Sequence, residues 1–176
     1  MCSLETFHID LRGLLDSTTT LEYNLDDAFF DSLEAPEVRR GQLHVDVVIE
    51  KLSNYYELKF HTEGTVIISC DKCLDDMEQP ISTDNRLLVK YGEAHAEDED
   101  QVTLADDEET LNVAWYIYEF IALCIPIKHV HRPDECNPAM IKALEEHSAS
   151  RDSSDDGGRP TDPRWEALSK LKMEDQ

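Results

Sequence analysis

Cys70-Asp-Lys-Cys73 and His131-Arg-Pro-Asp-Glu-Cys136 are the two places in this chain where residue type and spacing could do chemistry. Each pair is close enough to present two donor atoms to one ion. Two such pairs on different elements make a tetrahedral set of three thiolates and one imidazole, a usual composition for a single structural zinc ion. The charge of such a site would be −1, from Zn(II), three thiolates and a neutral ring. His129 is the competing ligand. The other chemistry open to C-x-x-C is thiol redox exchange, in which a lowered thiol pKa lets the pair cycle through a disulfide. Asp71, Asp75 and Asp76 surround the pair and are expected to raise the thiolate pKa values, with Lys72 a partial offset. A third reading takes the four as unrelated small core residues. Cys124 is expected in the core, and Cys2 has no assigned role.

No other catalytic pattern is present. There is no phosphate-binding glycine loop, G-x-S-x-G or H-E-x-x-H. His8, His44, His61, His95 and His147 fall on expected surface faces or loops. Carboxylates are so numerous that a nearby pair carries no information about acid–base catalysis.

The chain has 176 residues, 39 of them Asp or Glu against 16 Lys or Arg, for a formal net charge of −23. Its length and 40% apolar content allow one modest core. Such acidity argues against gripping nucleic acid through a broad basic surface, since affinity for phosphate backbones comes largely from Lys and Arg. The longest apolar run, Val113 to Ile127, is broken by Glu119 and is shorter than the roughly 18–20 residues a membrane span needs. The start Met-Cys-Ser-Leu-Glu lacks the features of a signal peptide, so a cytoplasmic protein with reduced thiols is expected.

The elements that must position the two pairs can be read from periodicity. Phe7, Ile9 and Leu11 alternate like a short strand, and Glu22-Tyr-Asn-Leu fits a second. Leu43, Val45, Val47 and Ile49 give the period-two pattern of a half-buried strand, Val48 being the exception. Tyr56, Leu58 and Phe60 alternate likewise, after which Glu63-Gly64 predicts a hairpin turn into Thr65-Val-Ile-Ile-Ser69 and so into Cys70. Leu87, Val89 and Tyr91 predict a further strand. Between Gly92 and Thr110, nine carboxylates (Glu93, Glu97, Asp98, Glu99, Asp100, Asp106, Asp107, Glu108 and Glu109) stand without a Lys or Arg, and self-repulsion predicts an extended solvated loop. Val113, Ile117, Phe120, Ile121 and Cys124 then take helical spacing, with Thr110 as N-cap and Pro126 ending the helix just before the second pair.

The fold class expected is therefore α+β: an antiparallel meander with one packed helix, a zinc-clipped segment and a C-terminal amphipathic tail helix. Residues 1–147 form the expected domain. Residues 148–161 are polar and rich in Gly and Ser, as in a disordered linker. In 162–176, Asp162 and Pro163 suit a helix start, and Trp165, Leu168 and Leu171 recur on one face that is expected either to anchor a partner or to dock on the parent domain.

A strand running into C-D-K-C-L, a helix ending L-C-I-P-I-K-H-V-H before D-E-C-N-P, and a final D-P-R-W-E-A-L-S-K-L-K together resemble the YceD family. The resemblance runs from about Leu43 to the end, and the H-V-H form resembles its Bacteroidetes branch. In other branches the second pair is often two cysteines, so His131 is a departure that remains a competent zinc ligand. The resemblance implies a non-enzymatic ribosome biogenesis factor supporting accumulation of large-subunit (23S) ribosomal RNA. The resemblance does not identify the direct partner; the net charge of −23 leads to the expectation of a basic large-subunit ribosomal protein, or a pre-ribosomal particle, and of no membrane. Lys72, Lys128, His129 and Arg132 are the groups available for RNA or partner contact, and RNA binding through so few cations would be weak.

Overall fold

The structure, a computed structural model, describes residues 4–92, 101–132 and 134–148. The chain divides into two units, residues 1–141 and 142–176. Of the second, only the end of the last helix is described.

The first unit is a five-stranded sheet covered on one face. Strand β1 is His8–Ile9, following a 3-10 turn over Leu4–Phe7; β2 is Thr18–Leu25, β3 Arg40–Lys51, β4 Tyr56–Ser69, β5 Asp76–Tyr91, β6 Gln101–Leu104 and β7 Leu111–Asn112. The main sheet has the order β2-β3-β4-β5-β6. Its first four strands are an antiparallel meander, and β6 adds to β5 in parallel, with Leu88 opposite Gln101 and Tyr91 opposite Leu104. A separate antiparallel ribbon pairs β1 with β7, His8 opposite Asn112.

Alternation in β3 decides which face is covered. Leu43, Val45, Val47 and Ile49 are all buried, and the intervening His44, Asp46, Val48 and Glu50 face outward. Two helices lie on the apolar face. Helix α1, Asp27–Leu33, is started by Asp26, whose carboxylate accepts from the Phe29 amide at 3.2 Å. It packs against β2 and β3, burying Phe29 and Phe30 beside Phe7. Helix α2, Ala114–Cys124, packs against β5 with Ile117 and Ile121 buried and Phe120 against Phe60, ring centroids 5.3 Å apart. Helix α3, Pro138–His147, has no buried residue.

Several elements depart from their sequence patterns. Phe7 closes the 3-10 turn rather than starting a strand, although Phe7, Ile9 and Leu11 are all buried. No hairpin forms at Glu63-Gly64. Strand β4 runs straight through for 14 residues, with Gly64 paired to Leu43 on one side and Ile81 on the other. The reason is local: Gly64 has φ 147, and a Cβ there would lie 2.3 Å from the Gln42 carbonyl oxygen. Glycine here permits close approach of two backbones. The hairpin turn instead falls at residues 52–55, where the Leu52 amide donates to the Tyr55 carbonyl at 2.9 Å.

Strand β5 starts eleven residues before Leu87, at Asp76. Pro80 is tolerated because β6 pairs only residues 88–91, leaving β5 an edge strand at that point. The acidic stretch is not all loop, since β6 falls within it and Glu108 closes a turn onto Ala105. Thr110 is not the cap of α2. The Asn112 side chain fills that role, accepting from the Ala114 amide at 2.9 Å. Cys124 is half-buried at the rim of the core, its thiol 3.8 Å from the Ser82 carbonyl oxygen. No helix among the described residues is long and apolar enough to cross a membrane. His95, the expected linker, and Trp165, Leu168 and Leu171 of the expected tail helix lie outside the described residues.

Candidate metal centre

Cys70 lies just past the end of β4, where the chain must reverse into β5. The Cys70 amide donates to the Asp75 carbonyl and the Leu74 amide to the Cys70 carbonyl, each at 2.9 Å. Closing so tight a turn puts Leu74 at φ 62, a left-handed conformation that costs a residue with a Cβ about 1–2 kcal/mol. Cys73 is thereby folded back beside Cys70. Both are buried.

The second pair arrives from α2, which ends at Cys124 because Pro126 cannot continue it. Asp71 then holds the returning segment. Its amide donates to the His129 carbonyl at 2.9 Å, its carboxylate accepts from the His129 amide at 2.8 Å, and the His129 ring lies 3.4 Å from that carboxylate. Two residues on, His131 faces the cysteines, and a turn with Asp134 at φ 73 brings Cys136 alongside.

The ligand atoms of Cys70, Cys73, His131 and Cys136 all lie within 4.8 Å of one another. Cys70 and Cys136 Sγ are 3.9 Å apart, and His131 Nδ1 is 3.3 Å from Cys73 Sγ and 4.0 Å from Cys136 Sγ. With Zn–S of about 2.3 Å and Zn–N of about 2.0–2.1 Å, a tetrahedron puts sulfurs about 3.8 Å apart and sulfur about 3.5 Å from nitrogen. The donor set therefore fits a zinc-sized ion without rearrangement of the chain. Support comes from outside the set as well. His131 Nε2 lies 3.2 Å from the Asp76 carbonyl oxygen, so a proton there leaves the Nδ1 lone pair facing the sulfurs.

Electrostatics around the cluster differ from the sequence expectation. Burial pushes the Cys70 thiol up, but amides of Cys73, His131 and Lys72 aimed at its sulfur outweigh this and bring it down to about 6. None of the neighbouring aspartates is among the leading influences on it; Asp71 is turned to His129 and Asp76 pairs with Arg40. Burial, followed by Cys70 and Cys73, pushes the Cys136 thiol up to about 11. A hydrogen bond from His131 to the Cys70 sulfur raises the imidazole above its ordinary value. One thiolate thus stands ready, and a metal ion would displace the remaining protons.

His129 is outside the cluster, its Nδ1 3.0 Å from the Pro126 carbonyl oxygen. Lys72, Lys128 and Arg132 are exposed on the segments that carry the ligands, and among the described residues none of them forms an ion pair. Asp71 and Asp76, which hold the two segments and the imidazole, had no signal in the sequence beyond their closeness to the C-x-x-C.

Such a molecule is an α+β sheet protein whose strand turn and helix exit meet at a Cys3His cluster. The family model described as "Large ribosomal RNA subunit accumulation protein YceD" matches residues 58–172, more than half of the chain, and the chain belongs to that family. The match takes in β4 from Leu58 onward, β5, α2 and all four cluster residues. The family description gives the chain a role connected with accumulation of the large ribosomal RNA subunit. No curated protein and no solved structure matches it.

Proposed function

We propose that this chain is a non-enzymatic ribosome biogenesis factor that supports accumulation of 23S ribosomal RNA by engaging a basic large-subunit ribosomal protein or the particle containing it. Membership of the family, carried by residues 58–172, is the observation that supports this. The net charge of −23 favours a basic protein over bare RNA as the direct contact. One zinc ion is held by Cys70, Cys73, His131 and Cys136, where it acts structurally, fastening the turn after β4 to the segment after α2. The expected tail anchor Trp165, Leu168 and Leu171 belongs to this reading as a second attachment to the same partner.

Thiol exchange is the rival, and the lowered Cys70 thiol pKa speaks for it. Burial speaks against it: Cys70 and Cys73 are 0% and 1% exposed, which leaves an incoming disulfide no line of attack. Purification of the tagged chain from native extract tests the main reading. Pre-large-subunit particles or one basic ribosomal protein should come with it, and depletion of the chain should lower 23S relative to small-subunit RNA. Unchanged RNA ratios on depletion would remove the proposal.

A further inference from the structure

The two segments that supply the cysteine–histidine cluster also hold two apolar side chains out in solvent. Leu74 is 67% exposed, and Ile127 is fully exposed. Both line one cavity of about 510 Å³, floored by Ile68 and Ile125. Leu74 is the informative one. Its turn needs a positive φ, which Gly or Asn would supply with less strain, and a leucine so exposed recovers little by burial. Its side chain gains little from the fold, and its pairing with Ile127 on one cavity makes an exposed apolar patch of the kind that marks a contact site.

The ionisable acidic and imidazole side chains lining the cavity are those of Glu37, Asp71 and His129. Asp71 is held by His129, while Glu37 makes no ion pair among the described residues. Lys72 and Lys128 adjoin lining residues in sequence but do not line the cavity. The geometry points to a docking cleft for an apolar side chain on a lysine- or arginine-rich protein segment, clasped between Leu74 and Ile127 with its cations toward Glu37. This rests on the proposed function and gives the basic partner of that reading an address.

Two synthetic peptides with the same leucine positions, one with Lys and the other with Glu at the polar positions, are titrated into the isotope-labelled full chain by NMR. The Lys peptide should shift Leu74, Ile127, Ile125 and Glu37, and the Glu peptide should not. Leu74→Asn with Ile127→Ser should weaken Lys-peptide binding at least tenfold with metal content unchanged and melting temperature unchanged or raised, and Glu37→Gln should reduce its salt dependence. Equal binding of both peptides, shifts driven by a single-stranded RNA oligonucleotide instead, concentration-dependent shifts of the chain alone, or a large fall in melting temperature in the double variant would each overturn the cleft. Native purification separates this from the parent reading. Particles retrieved equally by wild type and double variant would sink the cleft and leave the function standing. No particles with wild type, alongside specific Lys-peptide binding, would do the reverse.

Discussion

Cys73 is the residue whose loss should report most directly on the cluster, because it is 1% exposed and touches the His131 ring. Structural metal binding contributes folding free energy, so Cys73→Ser should lower zinc content and melting temperature together. Metal analysis beside a thermal scan checks this, and zinc retained in full by the variant would refute the ligand set. The pH dependence follows from Cys70. Its folded thiol is depressed to about 6 from an ordinary 9.0, so its contribution is present above the ordinary value and is lost as pH falls through about 6. Zinc requires all three thiols deprotonated, so its affinity should fall as the solution is acidified, and a chromogenic zinc chelator would follow its release. At this scale the sequence was most informative where donors of one kind recur at short spacing. The side-chain orientations of Asp71 and Asp76 were not legible, because each is set by a partner distant in sequence: His129 for one and Arg40 for the other.

Elements were legible where burial imposes a clean period. In β3 alternate residues face the core without interruption, and the pattern names the strand. It failed in β4, where Glu63-Gly64 has the composition of a turn but the glycine serves contact with the Gln42 backbone. Gly64→Ala should destabilise the fold by about 2–3 kcal/mol, since it forces both a strained φ and a backbone collision, and the denaturant midpoint measures it. Helix α1 was missed because seven residues with adjacent phenylalanines show too little of a 3.6 period to register. Strand β6 was hidden by its acidic surroundings, and only its ladder with β5 marks it out.

For the whole molecule, charge decides between partners. A body at −23 repels phosphate and attracts basic protein over roughly the 8 Å Debye length of physiological salt. The chain should bind a basic large-subunit protein more tightly than naked large-subunit RNA, with affinity falling as salt rises and as the carboxylates from Glu97 to Glu109 are neutralised. Titrations of both ligands at several salt concentrations check the order; submicromolar RNA binding abolished by Lys128→Glu with Arg132→Glu would reverse it. The division of the cluster between distant parts of the chain also bears on how the protein is made. Cys70 and Cys136 are 66 residues apart, so at a synthesis rate of about 5–20 residues per second the first thiols wait roughly 3–13 s for the rest of their set. For most of that time Asp71 lacks the His129 backbone it pairs with, and the β1–β7 ribbon awaits residue 112 as well. A chain stalled before Cys136 would thus hold its complete main sheet but only three of the four cluster residues.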